Sequence, residues 1–146
     1  MNIKIYKTKE KHLDFYYLWV NKKDSIEHKL HTTSKIEYKE HSEWFMQRIQ
    51  DVNTKMWVVK EGKNFIGQIR LQKSTSIYYD IDIYIVKKYR GNNSASNALE
   101  AVLNIFLIRP IRAIVKKNNI ISYNFFKKNS FFLNDEDINN WILTRK

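Results

Sequence analysis

The stretch from Ile77 to Ser96 constrains the fold more than any other part of the chain. Ile81, Ile83 and Ile85 alternate with Asp80, Asp82 and Tyr84, so Ile77 to Val86 is predicted to be a strand with one apolar and one polar face. A basic turn follows at Lys87, Lys88, Arg90 and Gly91. Asn92, Asn93, Ser94, Ala95 and Ser96 then open a helical pattern that runs to Ile108, with Ala98, Val102, Ile105 and Phe106 on one side. Strand, glycine turn and helix in that order present free backbone N–H groups and the positive end of a helix dipole, a combination that binds phosphate. Small residues let an anion approach the backbone, and Arg90 can add charge-assisted bonds. A helix merely capped by Asn92, Asn93 or Ser94 fits the same residues.

The neighbouring segments fill in a mixed architecture. Asn2 to Lys7 reads as a short strand with Ile3 and Ile5 inward, and His12 to Val20 as a helix through Leu13, Tyr16, Tyr17 and Val20. A second short helical stretch fits Ser25 to Leu30. Ile36 to Val52 reads as a helix with Trp44, Phe45, Ile49 and Val52 inward and Glu40, Glu43, Gln47 and Gln50 outward. Met56 to Val59, a hairpin turn at Glu61 to Asn64, and Phe65 to Gln72 make two antiparallel strands that lead into Ile77 to Val86. Ile111 to Val115 is a further strand, Ile120 to Lys128 a helix, and Phe131 to Leu133 and Trp141 to Thr144 short closing strands. The fold class is α/β in the α+β sense.

At 146 residues, 43% hydrophobic, the chain has material for one core, and residues 1–146 are expected to form a single domain. Three Gly and one Pro leave no linker-like segment. No apolar stretch approaches the roughly 20 residues of a bilayer span, and Met1 to Lys11 lacks the apolar run of a secretory signal. Zero cysteines exclude a disulfide framework, a thiolate nucleophile and Cys-based zinc, so a cytoplasmic setting is expected. The net charge of +11 is spread in separate lysine pairs, which suits a phosphate-bearing small molecule better than a nucleic acid, and neither nucleic acid nor membrane is expected as a partner. His12, His28 and His31 lack a metal-ligand spacing with acidic partners, and no metal is assigned.

Arg90 to Ala95 resembles the acetyl-CoA pyrophosphate motif of the GCN5-related N-acetyltransferase (GNAT) superfamily, Arg/Gln-x-x-Gly-x-Gly/Ala, with Asn93 where a glycine is usual. Val115 to Phe131 resembles the family's second motif, V-x-P-x-N-x-x-S-x-x-x-[YF]-x-K-x-G-F, with Asn119, Ser122, Lys128 and Phe131 in register and Ser130 in place of glycine. Leu18 to Asn21, His41 to Phe45 and Gly67 to Arg70 resemble the W-R-N, H-x-x-W-F and G-x-x-R motifs of the subgroup that acetylates nucleotide-linked amino sugars, as in pseudaminic acid synthesis. Val20 replaces the arginine of the first of these.

The resemblance implies a GNAT fold, a mixed, mostly antiparallel sheet of six to seven strands flanked by about four helices. It also implies direct transfer of acetyl from acetyl-CoA to a primary amine. Ile83, Tyr84, Ile85, Arg90, Gly91, Asn92, Asn93, Ser94, Ala95, Ser96, Asn119, Phe126 and Lys128 are then expected to hold the donor, with the Ile83 to Ile85 strand splayed from its neighbour to admit pantetheine. Asp80 is expected to act as base, and His41, Trp44, Arg70 and Asp82 to hold the acceptor. Phe126 stands where the family often has a proton-donating tyrosine, so Tyr123, one helical turn earlier, or water is expected to serve the leaving thiolate. Three functions stay open: acetylation of a nucleotide-linked amino sugar, acetylation of a protein amine or polyamine, and a non-catalytic CoA-binding module. The resemblance fits a monomer or a homodimer.

Overall fold

The computed structural model describes residues 2–27 and 35–146. Strand β1 (Ile3–Lys7) leads through a 3-10 turn into helices α1 (Leu13–Val20), α2 (Lys23–Glu27) and α3 (Tyr38–Gln50). Three strands follow, β2 (Thr54–Glu61), β3 (Asn64–Lys73) and β4 (Tyr79–Ile85), and then helix α4 (Ser94–Ile105). The chain closes with β5 (Ile111–Lys116), α5 (Ile120–Lys128), β6 (Phe132–Glu136) and β7 (Asn140–Arg145). All seven strands join one sheet in the order β1-β2-β3-β4-β5-β7-β6. Every pairing is antiparallel except β4 with β5. The described residues hold five helices rather than about four, the short α2 being the addition. The remainder of the stretch expected at Ser25 to Leu30 lies outside the described residues, as do His28 and His31.

Directly opposed residues share a face, so the register divides the sheet's side chains into two sets. Val59, Ile69, Leu71, Ile81, Ile85, Ile111, Ala113, Val115 and Leu143 pack with Ala98, Leu99 and Val102 of α4 and Phe126 of α5 in the larger core. Fully burying each such aliphatic side chain stabilises the fold by about 1.5–3 kcal/mol. On the opposite face Met56 and Val58 pack with Tyr16 and Trp19 of α1 and Phe45 of α3 in a smaller core. These two helices lie over the β1-to-β4 half of the sheet and frame the site.

Two apolar assignments are corrected. Val52 is 78% exposed because α3 ends at Gln50 and Val52 lies in the following turn. Ile105 is 62% exposed, since the last turn of α4 carries it away from the face that buries Val102 and Phe106. Helix α4 also stops at Ile105 instead of Ile108. There Arg109 donates to the carbonyls of Leu103 and Phe106, satisfying groups that a helix end leaves unpaired. Arg109 thus caps the C-terminal end of α4.

Candidate functional site

The site forms where the sheet opens. Strands β4 and β5 pair only at Tyr79 with Ile111 and Asp80 with Arg112, so among the described residues Ile81 to Ile85 has no strand partner on that edge. On the other edge the whole of β4 pairs with β3, and Val86 N–H continues the ladder to the Ile66 carbonyl. Alternation then directs the backbone groups of Asp82 and Tyr84 toward β3 and those of Ile81, Ile83 and Ile85 into the opening. The Ile85 carbonyl confirms this direction, because it accepts Arg90 Nε at 2.6 Å. Gly67, the first residue of the G-x-x-R motif, is required beside it. A Cβ there would run into the Tyr84 carbonyl oxygen and push β4 away from β3.

Beyond the opening the chain turns through Gly91 at φ 88° and Asn93 at φ 69° into α4. Asn93 thus keeps the left-handed backbone for which the family motif uses glycine, a geometry asparagine tolerates better than most residues. Asn92 Oδ1 accepts the Ser94 N–H at 3.4 Å and, with Glu61, shares the buried Ser94 hydroxyl. The N–H groups of Ala95 and Ser96 have no hydrogen-bond partner among the described residues, so α4 presents an uncapped, positive N-terminus beside the opening. Lys128 Nζ reaches Asn93 Oδ1 at 3.3 Å, and Asn129 donates to Ser96 Oγ at 3.1 Å, which ties α5 to this loop. Ser130, the second glycine replacement, also holds φ 69°.

Arg90 does more than stand in the turn. Besides Ile85, its Nη2 donates to Asp24 Oδ2 of α2 at 2.6 Å, and its guanidinium lies 5.3 Å from the centre of the Tyr84 ring. Tyr84 Oη donates to the other Asp24 oxygen at 3.3 Å. Burial first, and the Asp24 charge second, raise the Tyr84 phenol above its ordinary pKa. A cavity of about 430 Å³ opens here, lined by Lys22, Lys23, Asp24, Tyr84, Val86 and Lys87.

The polar face of β3 and β4 continues the site toward α3. Asp82 Oδ2 accepts Gln68 Nε2 at 2.8 Å, Arg70 stands opposite Asp82 in the register, and the Arg70 guanidinium lies 5.0 Å from the centre of the Trp44 ring. His41 stacks on Trp44 at 5.5 Å between ring centres. Trp44, Arg70 and Asp82 therefore converge on one surface. His41 does not reach that surface: it is 3% exposed, wedged among Tyr17, Trp44 and Phe45, and its part is to hold Trp44.

Three further expectations change. Asp80 is not placed as a base, because Arg112 engages both of its carboxylate oxygens, Nε at 2.7 Å and Nη2 at 2.9 Å, at the closed end of β4. Phe126 is 4% exposed and packs on Phe131 with ring centres 4.9 Å apart, so it is core, and a donor could meet no more than its rim. Asn119 caps α5 by accepting the Ser122 N–H at 3.2 Å. Tyr123 packs its ring 4.4 Å from that of Trp141 on β7. Sequence reasoning missed Asp24 and Gln68 as site residues. Asp24 meets a residue 66 positions away and leaves no local pattern, whereas Gln68 is legible as the cross-strand partner of Tyr84 once the β3–β4 register is drawn. No cluster of metal-ligating side chains occurs among the described residues, and no described helix is long and apolar enough to cross a membrane.

The comparisons with known proteins agree with this geometry. No curated protein matches the chain. Among solved structures, the N-acetyltransferase PseH of Campylobacter jejuni superposes with a TM-score of 0.72 at 17% identity, covering 99% of this chain and 97% of that one. Spermidine N-acetyltransferase from Vibrio cholerae, in complex with CoA and spermine, gives 0.75 at 17% identity over 97% and 92%. An aminoglycoside acetyltransferase with ribostamycin and coenzyme A gives 0.86 at 10% identity over 100% and 94%. Identities this low establish a shared fold. The family profile for the acetyltransferase (GNAT) domain matches residues 3–131, which takes in the opened strand pair, the glycine turn and both ends of α5, and the chain belongs to the GNAT acetyltransferase family.

Proposed function

We propose that the protein transfers acetyl from acetyl-CoA to a primary amine of a nucleotide-linked amino sugar, in the cytoplasm. The observation that carries this reading is the opening between β4 and β5 beside the uncapped N-terminus of α4. The Ala95 and Ser96 N–H groups and Arg90 suit a diphosphate, and the inward-facing backbone of Ile83 and Ile85 suits the pantetheine amides and the thioester carbonyl. CoA and acetyl-CoA accompany structural relatives of this chain, which supports the same donor here.

The acceptor approaches over Asp82, Arg70 and Trp44. Its ammonium gives a proton to the Asp82 carboxylate, directly or through water, because only the neutral amine has a lone pair to attack the thioester carbon. The new C–N bond forms as the C–S bond breaks, and backbone N–H groups in the opening stabilise the oxygen that gains charge. The departing thiolate takes its proton from water or from Tyr123; with a thiol pKa of about 8.5 it needs little acid assistance. Trp44 offers a ring face to the sugar or base, and Arg70 a fork for a nucleotide phosphate.

A polycationic acceptor is the second reading. Asp24 and Asp82 both stand near Tyr84, and relatives of the same fold act on spermidine or bind aminoglycosides. Thiol release from acetyl-CoA with a panel of nucleotide-linked amino sugars, spermine and an aminoglycoside separates the two. Preferential turnover of the sugars supports the proposal, and preferential turnover of spermine or the aminoglycoside overturns it.

A further inference from the structure

The Arg90 side chain in the donor motif is not idle in this structure. One edge of its guanidinium is fixed to the Ile85 carbonyl, another to Asp24 at 2.6 Å, and its plane lies near Tyr84, which itself holds the second oxygen of Asp24. Arg90 Nη1 donates to nothing among the described residues. Asp24 is therefore an anion seated beside the very cation that the donor diphosphate would use, and it comes from α2, an element outside the strand, turn and helix of the motif. We infer that Asp24 is an internal competitor for Arg90, an electrostatic latch that holds α2 against Tyr84 and that the diphosphate of CoA must loosen or displace. This deepens the acetyltransferase reading and rests on it.

Charge arithmetic gives the direction. A diphosphate brought to Arg90 meets the Asp24 carboxylate at close range, and a partly exposed ion pair of this kind changes affinity by a modest factor, not by orders of magnitude. Neutralising Asp24 with the isosteric Asp24→Asn removes the repulsion while leaving an oxygen to accept from Tyr84 Oη. Lys22, Lys23 and Lys87 line the same cavity and supply the field in which the exchange takes place.

The test is calorimetric titration of CoA and of pantetheine, which lacks the diphosphate, into wild type, Asp24→Asn, Arg90→Gln and the double variant. The latch requires that Asp24→Asn bind CoA about two- to fivefold more tightly than wild type. It also requires that this gain vanish in the Arg90→Gln background and that pantetheine binding stay the same in every variant. Equal or weaker CoA binding by a folded Asp24→Asn protein would mean that Asp24 positions Arg90 for the donor, and the competitor reading falls. A gain that persists without Arg90 would reduce it to general surface charge and overturn it as well. Failure of wild type to bind CoA at all counts against the acetyltransferase reading itself.

Discussion

At the start of β4, Asp80 faces Arg112 across the paired stretch of the parallel register; two residues on, Asp82 faces the same way where β5 has diverged from β4. Their local sequences are nearly alike, each an aspartate before an isoleucine. Pairing with β5 brings Asp80 a guanidinium that fills both carboxylate oxygens, and the acid becomes a structural clasp. Among the described residues Asp82 keeps only the amide of Gln68, on one oxygen, and it remains exposed. An acid two residues along one strand changes from clasp to candidate base because the neighbouring strand diverges, which places the site at the divergence and not at a particular residue type.

The comparison breaks most visibly on catalysis. Replacing Asp82 by Asn should lower kcat about 100-fold, the lower end of a general base's contribution, while Asp80→Asn leaves kcat near the wild-type value. Steady-state thiol release with each variant measures both, and equal losses would end the distinction between the two acids. Next in size is Gly67→Ala, whose Cβ presses on the Tyr84 carbonyl and should cost about 2 kcal/mol in urea unfolding by prising β4 from β3 at its open end. A neutral result would show that β4 yields there without penalty. Arg112→Ala should cost about 1–2 kcal/mol of stability by leaving Asp80 without its charge-assisted bonds, with little change in the Michaelis constant for acetyl-CoA. The smallest effect concerns the loop ends. Ser130→Gly relieves a side chain held at φ 69° and should raise stability by about 1 kcal/mol, seen as an upward shift in Tm.

Much of this is legible in the sequence. The alternation of Ile81, Ile83 and Ile85 fixes the faces of β4, and the helix expected over Ile120 to Lys128 is α5. The donor loop was readable as well, since strand, glycine turn and small-residue helix are contiguous in the chain. What escaped was long-range. The fork from Arg112 to Asp80 joins positions 32 apart, and the bond from Arg90 to Asp24 joins positions 66 apart. The resemblance assigns His41 to acceptor binding, yet helix α3 turns it inward among three aromatic rings. Val52 failed for a simpler reason, as helical periodicity assigns a face only as far as the helix runs, whereas Ile105, the last residue of α4, lies outside the stripe that buries Leu99, Val102 and Leu103.

The sequence by itself determined the elements and the donor motif, because hydrophobic period, turn residues and helix caps act over a few positions and are written in neighbouring letters. Which acid stays available, which arginine is engaged and where the sheet opens were decided only by the tertiary structure. Those outcomes depend on which strand edge lies beside which side chain, and strands distant in sequence meet only when the sheet is assembled.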